Sequence, residues 1–225
     1  MEAEPTKEGA TTMTLTAAAF AKPSLLGALT AVAMAGAGVH QAGTIDLDRA
    51  KGSHQQHAAP WEGVTQAVAV IGPTEGNDGV SGTVRFERVE GGVRVTAHVQ
   101  GLEPGSKHGF HVHQFGDATA ADGTSAGGHY DPSGSGHHAK PGAGEPHHAG
   151  DFGNLEANDQ GVARYERTFE GLSIAGSKAP VLGRAVIVHA QPDEFDQPTG
   201  SAGARIGIGV VGVANPEGFD TPLGR

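Results

Sequence analysis

Short Val-rich runs that alternate with polar residues, each closed by Gly, Pro, Asn or Asp, constrain this chain most, because a side-chain period of two marks a half-buried β-strand. Val80 to Val89 sets Val84 and Phe86 against Arg85, Glu87 and Arg88, and Gly91-Gly92 supplies a tight turn into Val93 to Val99. Val64 to Ile71 runs up to Gly72-Pro73, so the three segments read as an antiparallel meander. Lys107 to Phe115, Asp151 to Leu155, Val162 to Phe169, Gly183 to His189 and Arg205 to Val213 bring the number of short strands to eight. Gly116 to Ala149 and Ala190 to Ala204 lack periodicity and read as loops. The set predicts an all-β fold, an eight-stranded Greek-key flattened barrel or sandwich with one long loop and a shorter second one.

Of the 225 residues, 61–214 suit a single domain of this kind. Ahead of it, an apolar stretch from Leu25 to Val39 follows Lys22 and contains Ala33-Met34-Ala35 and Ala35-Gly36-Ala37, the pattern of a secretory signal peptide over 1–37. Glu2, Glu4 and Glu8 stand where positive charge is expected, which fits translation from Met13. Residues 38–60, with Gly43, Gly52, Ser53, His54, His57 and Pro60, read as a flexible linker, and 215–225 as an irregular tail. A periplasmic or secreted protein is expected. The net charge of -10 argues against nucleic acid or an anionic membrane surface as a partner of the mature domain. With no cysteine, disulfides and thiolate metal sites are excluded.

Six histidines and one aspartate carry the chemistry. In Gly109-Phe110-His111-Val112-His113 the two histidines lie two apart on a strand and project from one face, so both imidazoles can meet one ion. His129, His138, His148 and Asp151 occupy or border the long loop, and Val188-His189 ends a distant strand. Together they can build two metal sites that share a ligand. His137 beside His138 is the alternative ligand; His147, His98 and His108 read as a solvated neighbour and two structural residues.

With these segments the chain resembles the copper,zinc superoxide dismutases. The resemblance rests on Gly109-Phe110-His111-Val112-His113-Gln114-Phe115-Gly116-Asp117, Ser125-Ala126-Gly127-Gly128-His129-Tyr130-Asp131-Pro132, and His148-Ala149-Gly150-Asp151-Phe152-Gly153-Asn154. Gly183 to His189 and Gly203 to Val210 complete it, so that it covers roughly 64 to 214 in family order. It implies copper on His111, His113, His129 and His189, and zinc on His129, His138, His148 and Asp151, with His129 bridging the ions. An all-imidazole set suits Cu(II), and a carboxylate completes a tetrahedron for zinc. Asp193 matches a carboxylate that links a copper histidine to a zinc histidine, and Arg205 the arginine that docks the superoxide anion. The implied reaction is disproportionation of superoxide to oxygen and hydrogen peroxide.

Two departures from the family qualify that expectation. Gly123 and Ile208 stand where the family has its disulfide cysteines, and the loop Ala190 to Ala204 contains Asp193, Glu194 and Asp196 but no lysine. Arg205 and Lys140 are the cations left to steer the anion, so weak steering is expected. The competing reading is a non-catalytic secreted copper and zinc binding or storage module, which has no need of Arg205. The Gly- and Val-rich end Gly209 to Ala214 could contribute to a homodimer surface.

Overall fold

The computed structural model describes residues 63–223. The signal peptide and linker expected over 1–37 and 38–60 lie outside the described residues. Among the described residues nine strands follow one another: β1 Gln66–Pro73, β2 Ser81–Val89, β3 Gly92–Gln100, β4 Lys107–His113, β5 Asp151–Glu156, β6 Ala163–Phe169, β7 Ala185–His189, β8 Arg205–Val210 and β9 Gly212–Val213. The first eight pair antiparallel in the order β5-β4-β7-β8-β1-β2-β3-β6. The two ends of that order approach each other, with the Tyr165 hydroxyl on β6 donating to the Phe152 carbonyl on β5 at 2.8 Å. The result is a nearly closed Greek-key barrel, as expected. The β3-to-β4 and β6-to-β7 connections make its crossings.

Alternation decides which face of each strand is inward. Ala67, Ala69, Ile71, Val84, Phe86, Val93, Val95 and Val99 fill one half of the core, and Phe110, Val112, Phe152, Leu155, Val186 and Val188 fill the other. β4 and β7 are buried on both faces. Their outward residues are covered by loops, and Ala126, on a single 3-10 turn Thr124–Ala126, packs there against Ala185, Ile187 and Ile208. The long loop is thereby laid onto the outside of β4 and β7, where the histidines emerge.

Among the local boundaries that differ from the sequence reading, three bear on the fold. The β2-β3 turn is Glu90-Gly91, one residue earlier than expected, since Val89 pairs with Gly92. β4 stops at His113, and the following Phe115 is exposed. The last expected strand, Arg205 to Val213, divides at Val211, whose N–H turns to the Arg184 carbonyl at 2.9 Å, so β8 pairs with β7 and the end of β1 while β9 pairs with Ala67 and Val68. The tail from Asn215 has no helix or strand through Leu223, yet it is pinned. Phe219 is buried under the Arg85 guanidinium at 5.1 Å, and Arg85 and Arg164 donate to the carbonyls of Thr221 and Leu223.

Candidate metal centre

His111 and His113 leave the outer face of β4, and the register breaks near the site in two pairings, β4 with β5 and β7 with β8. One shift lies between Gly109 and His111 opposite Asp151, and another between Val188 and His189 opposite Arg205. Such breaks bend a strand and re-aim its side chains. The long loop is stitched to β4 on the same side: His113 bridges His129, Tyr130 N–H donates to the Val112 carbonyl at 2.9 Å, and Val112 N–H donates to that of Gly150 at 2.9 Å. His129 and His148 are thus delivered to β4 by backbone pairing.

Two groups of four result. His111, His113, His129 and His189 form one, and His129, His138, His148 and Asp151 form the other; in each, the candidate ligand atoms lie within 4.8 Å of one another and every residue is buried. His129 belongs to both. His138 is buried in its group, whereas His137 is exposed. A third grouping, His111, His138 and Asp193, joins them, with Asp193 accepting from His111 Nε2 at 2.9 Å and from His138 Nε2 at 2.8 Å.

Hydrogen bonding assigns the ring nitrogens. His113 Nδ1 donates to the Gly127 carbonyl at 2.9 Å and His189 Nδ1 to the Gly203 carbonyl at 3.1 Å, so each ring keeps its lone pair on Nε2. Those two Nε2 atoms face each other at 3.3 Å. Two lone pairs so placed repel unless a cation lies between them. Among the described residues His111 Nδ1 is buried with no hydrogen-bond partner, and so is His138 Nδ1, which lies 2.9 Å from Asp151 Oδ1 but is not aligned to bond it. Around that same oxygen His129 Nδ1 stands at 2.9 Å and His148 Nδ1 at 3.2 Å. A tetrahedron with zinc-nitrogen bonds of about 2.0–2.1 Å has edges of roughly 3.3 Å, so this spacing fits three nitrogens and one oxygen on one such ion. The donor sets present therefore fit the two metals.

Protonation follows the same division. Burial lowers His111 to about 4 against the pull of Asp193, and lowers His189 to about 3 with His111 adding to it. Burial likewise takes His113 well below its ordinary value and lowers His129. These rings stay neutral, as ligands must. Burial acts in the same direction on His138, but the carboxylates of Asp151 and Asp193 beside it outweigh burial and raise that ring to about 9. Asp151 and Asp193 are held well below the usual carboxylate range by their histidine partners, which overcome burial.

A pocket of about 200 Å³ opens on the all-histidine group, lined by His113, His129, His189, Thr199, Ser201 and Arg205 among others, and by none of His138, His148 or Asp151. The Arg205 guanidinium is held by the Gly127 carbonyl at 2.5 Å and by the Gly123 carbonyl. Gly127 O thus serves both Arg205 and His113. Lys140 does not share this pocket. It lines a different cleft with Lys107, Phe152 and Phe195, because the chain leaving His138 turns away toward β5 and β6, and this corrects its expected steering role. A cleft of about 420 Å³ beside Arg167, Phe169 and Leu172 holds none of the clustered residues. His108 is buried, with Nδ1 on the His189 carbonyl at 2.8 Å.

Several supporting residues escaped sequence reasoning. Asn154 exchanges two hydrogen bonds with the Asp193 backbone, at 2.7 and 2.9 Å. Gln197 does the same for His138, and Phe195 stacks on the His138 ring at 6.1 Å. Gly200 lies against Asp193 and His138. The signal open to sequence reading was only that the last three belong to the aperiodic second loop.

A family model described as copper/zinc superoxide dismutase matches residues 80–211, more than half of the chain and all the residues of both groups. Copper and zinc are the metals that match implies, and the two buried groups can hold them. On that match the chain belongs to the copper/zinc superoxide dismutase family.

Proposed function

We propose that the protein disproportionates superoxide to oxygen and hydrogen peroxide, with copper held by His111, His113, His129 and His189 and zinc by His129, His138, His148 and Asp151. The observation that carries the reading is the one-sided opening: the pocket is lined by His113, His129 and His189 beside an arginine, and by none of the residues that belong to the Asp151 group alone. Copper would supply the electron exchange, alternating between two oxidation states as it oxidises one superoxide and reduces the next.

The chain's own residues do the rest. Arg205 carries a permanent charge into the pocket, and its anchorage on two carbonyls leaves further guanidinium N–H groups to dock a small anion. His129 is fixed through Nδ1 beside Asp151, which leaves Nε2 to take and return a proton at the pocket. Asp193 fixes the orientation of His111 and His138 together. Superoxide decay measured with the metal-loaded protein, Arg205→Ala and His129→Ala tests the proposal. The expected outcome is rapid decay in the wild type, a rate on the order of tenfold or more lower in Arg205→Ala, and abolition in His129→Ala with the barrel still folded. A storage module has no use for Arg205; equal rates in wild type and Arg205→Ala contradict the catalytic reading.

A further inference from the structure

We propose that Gln197 is a positioning residue that sets the zinc half of the centre by clamping the backbone of His138; this rests on the zinc assignment above. Residues 131–149 contain no helix and no strand, and Gly134, Gly136, Gly142 and Gly144 around His138 all have φ between 65 and 81°. Such a segment loses much conformational entropy when it is ordered. His138 is nevertheless 1% exposed, so its own N–H and C=O need partners within the protein. Both go to one side chain. His138 N–H donates to Gln197 Oε1 at 3.0 Å, and Gln197 Nε2 donates to the His138 carbonyl at 2.7 Å.

A primary amide thereby reproduces the reciprocal pair of bonds that a neighbouring strand would offer, in a part of the chain with no strand to offer them. The amide sets a donor and an acceptor side by side on one planar carbon, as Asn and Gln do and a carboxylate does not. Glutamate at this position keeps the acceptor, loses the donor and sets a charge against a carbonyl; leucine loses both. The clamp fixes where the His138 side chain begins. Asp193 on Nε2 and Phe195 on the ring face fix how it is turned, so that Nδ1 is left beside Asp151. All three come from the loop between β7 and β8, so that loop, with no disulfide in the chain, sets the zinc ligand of the longer one. Gln197 is itself exposed, and its replacement leaves the barrel core untouched.

The test compares wild type, Gln197→Glu and Gln197→Leu, each loaded with copper and zinc. Zinc release is timed after adding excess chelator, and cobalt(II) bound in place of zinc reports ligand geometry through its visible spectrum. Both variants are expected to release zinc on the order of tenfold faster, as suits two hydrogen bonds partly open to water. Their cobalt spectra are expected to shift while copper retention and the Cu(II) spectrum stay as in wild type. Wild-type zinc release in either variant overturns the proposal. Equal loosening of copper and zinc also overturns it, because that marks a general loss of structure. A wild-type protein that takes up no zinc overturns the clamp and the zinc assignment together.

Discussion

His138 sets the proton balance of the metal-free centre. Its pKa is raised from 6.5 to about 9, so its contribution to metal-free stability is complete below 6.5 and is lost as pH rises through 9. His111 and His189 are lowered to about 4 and about 3, so the unfolded chain gains protons that the folded one refuses as pH falls below 6.5. Metal-free protein should therefore melt highest near pH 6.5, which a melting series across pH checks. In the proposed assignment zinc displaces the His138 proton, so zinc affinity should rise by up to about tenfold per pH unit until about 9, measurable by competition with an indicator. Gly200 has φ +74, and a Cβ there would lie 1.9 Å from Asp193 Oδ1 and 2.6 Å from His138 Nε2. Gly200→Ala is expected to lower zinc affinity about 10- to 100-fold, read in the same competition. His111 and His113 were legible because a period of two fixes the face they share. Gln197 and Gly200 were not, because their roles depend on contacts to His138, which another loop supplies.

At the level of elements, the long loop is held without a disulfide. Gly123 has φ +75, a conformation that L side chains rarely adopt, and its carbonyl accepts from Arg205, so loop and β8 meet through a hydrogen bond. Thr74 adds a bond from its hydroxyl to the Arg205 carbonyl at 2.6 Å, and Glu75 N–H donates to Ala121 O at 2.8 Å. A disulfide would typically contribute about 2–4 kcal/mol here. With that absent, the metals carry more of the ordering. Ligand linkage at a thousandfold excess over Kd gives about 4 kcal/mol per ion, and each kcal/mol moves Tm by about 2–4 °C at this size. Chelation should therefore lower Tm on the order of 10 °C per ion and expose residues 114–150 to protease; an apo form as resistant as the loaded one contradicts this. The strands were readable from alternation alone, except that Val211 leaves the β8 line, which no local pattern announces.

On the scale of the whole molecule, the proposed activity asks an anionic protein to capture an anion. The chain carries -10, and among the described residues Arg205 is the one Lys or Arg lining the pocket at the all-histidine group. Its rate of superoxide capture should fall only shallowly with added salt, and a steep fall would reveal steering that this pocket lacks. The barrel and its ligand spacing were legible because strand period and donor chemistry are local properties. The pinned tail and the side of the molecule that Lys140 faces were not, because they depend on how distant surfaces meet. The central claim is that one imidazole, His129, serves two ions and that only one of them faces the pocket. Crystals of the metal-loaded protein measured at the copper and zinc absorption edges test it most directly. The account predicts two peaks, one beside each His129 ring nitrogen, with copper on the Arg205 side; a single peak, or a copper peak away from His129, contradicts it.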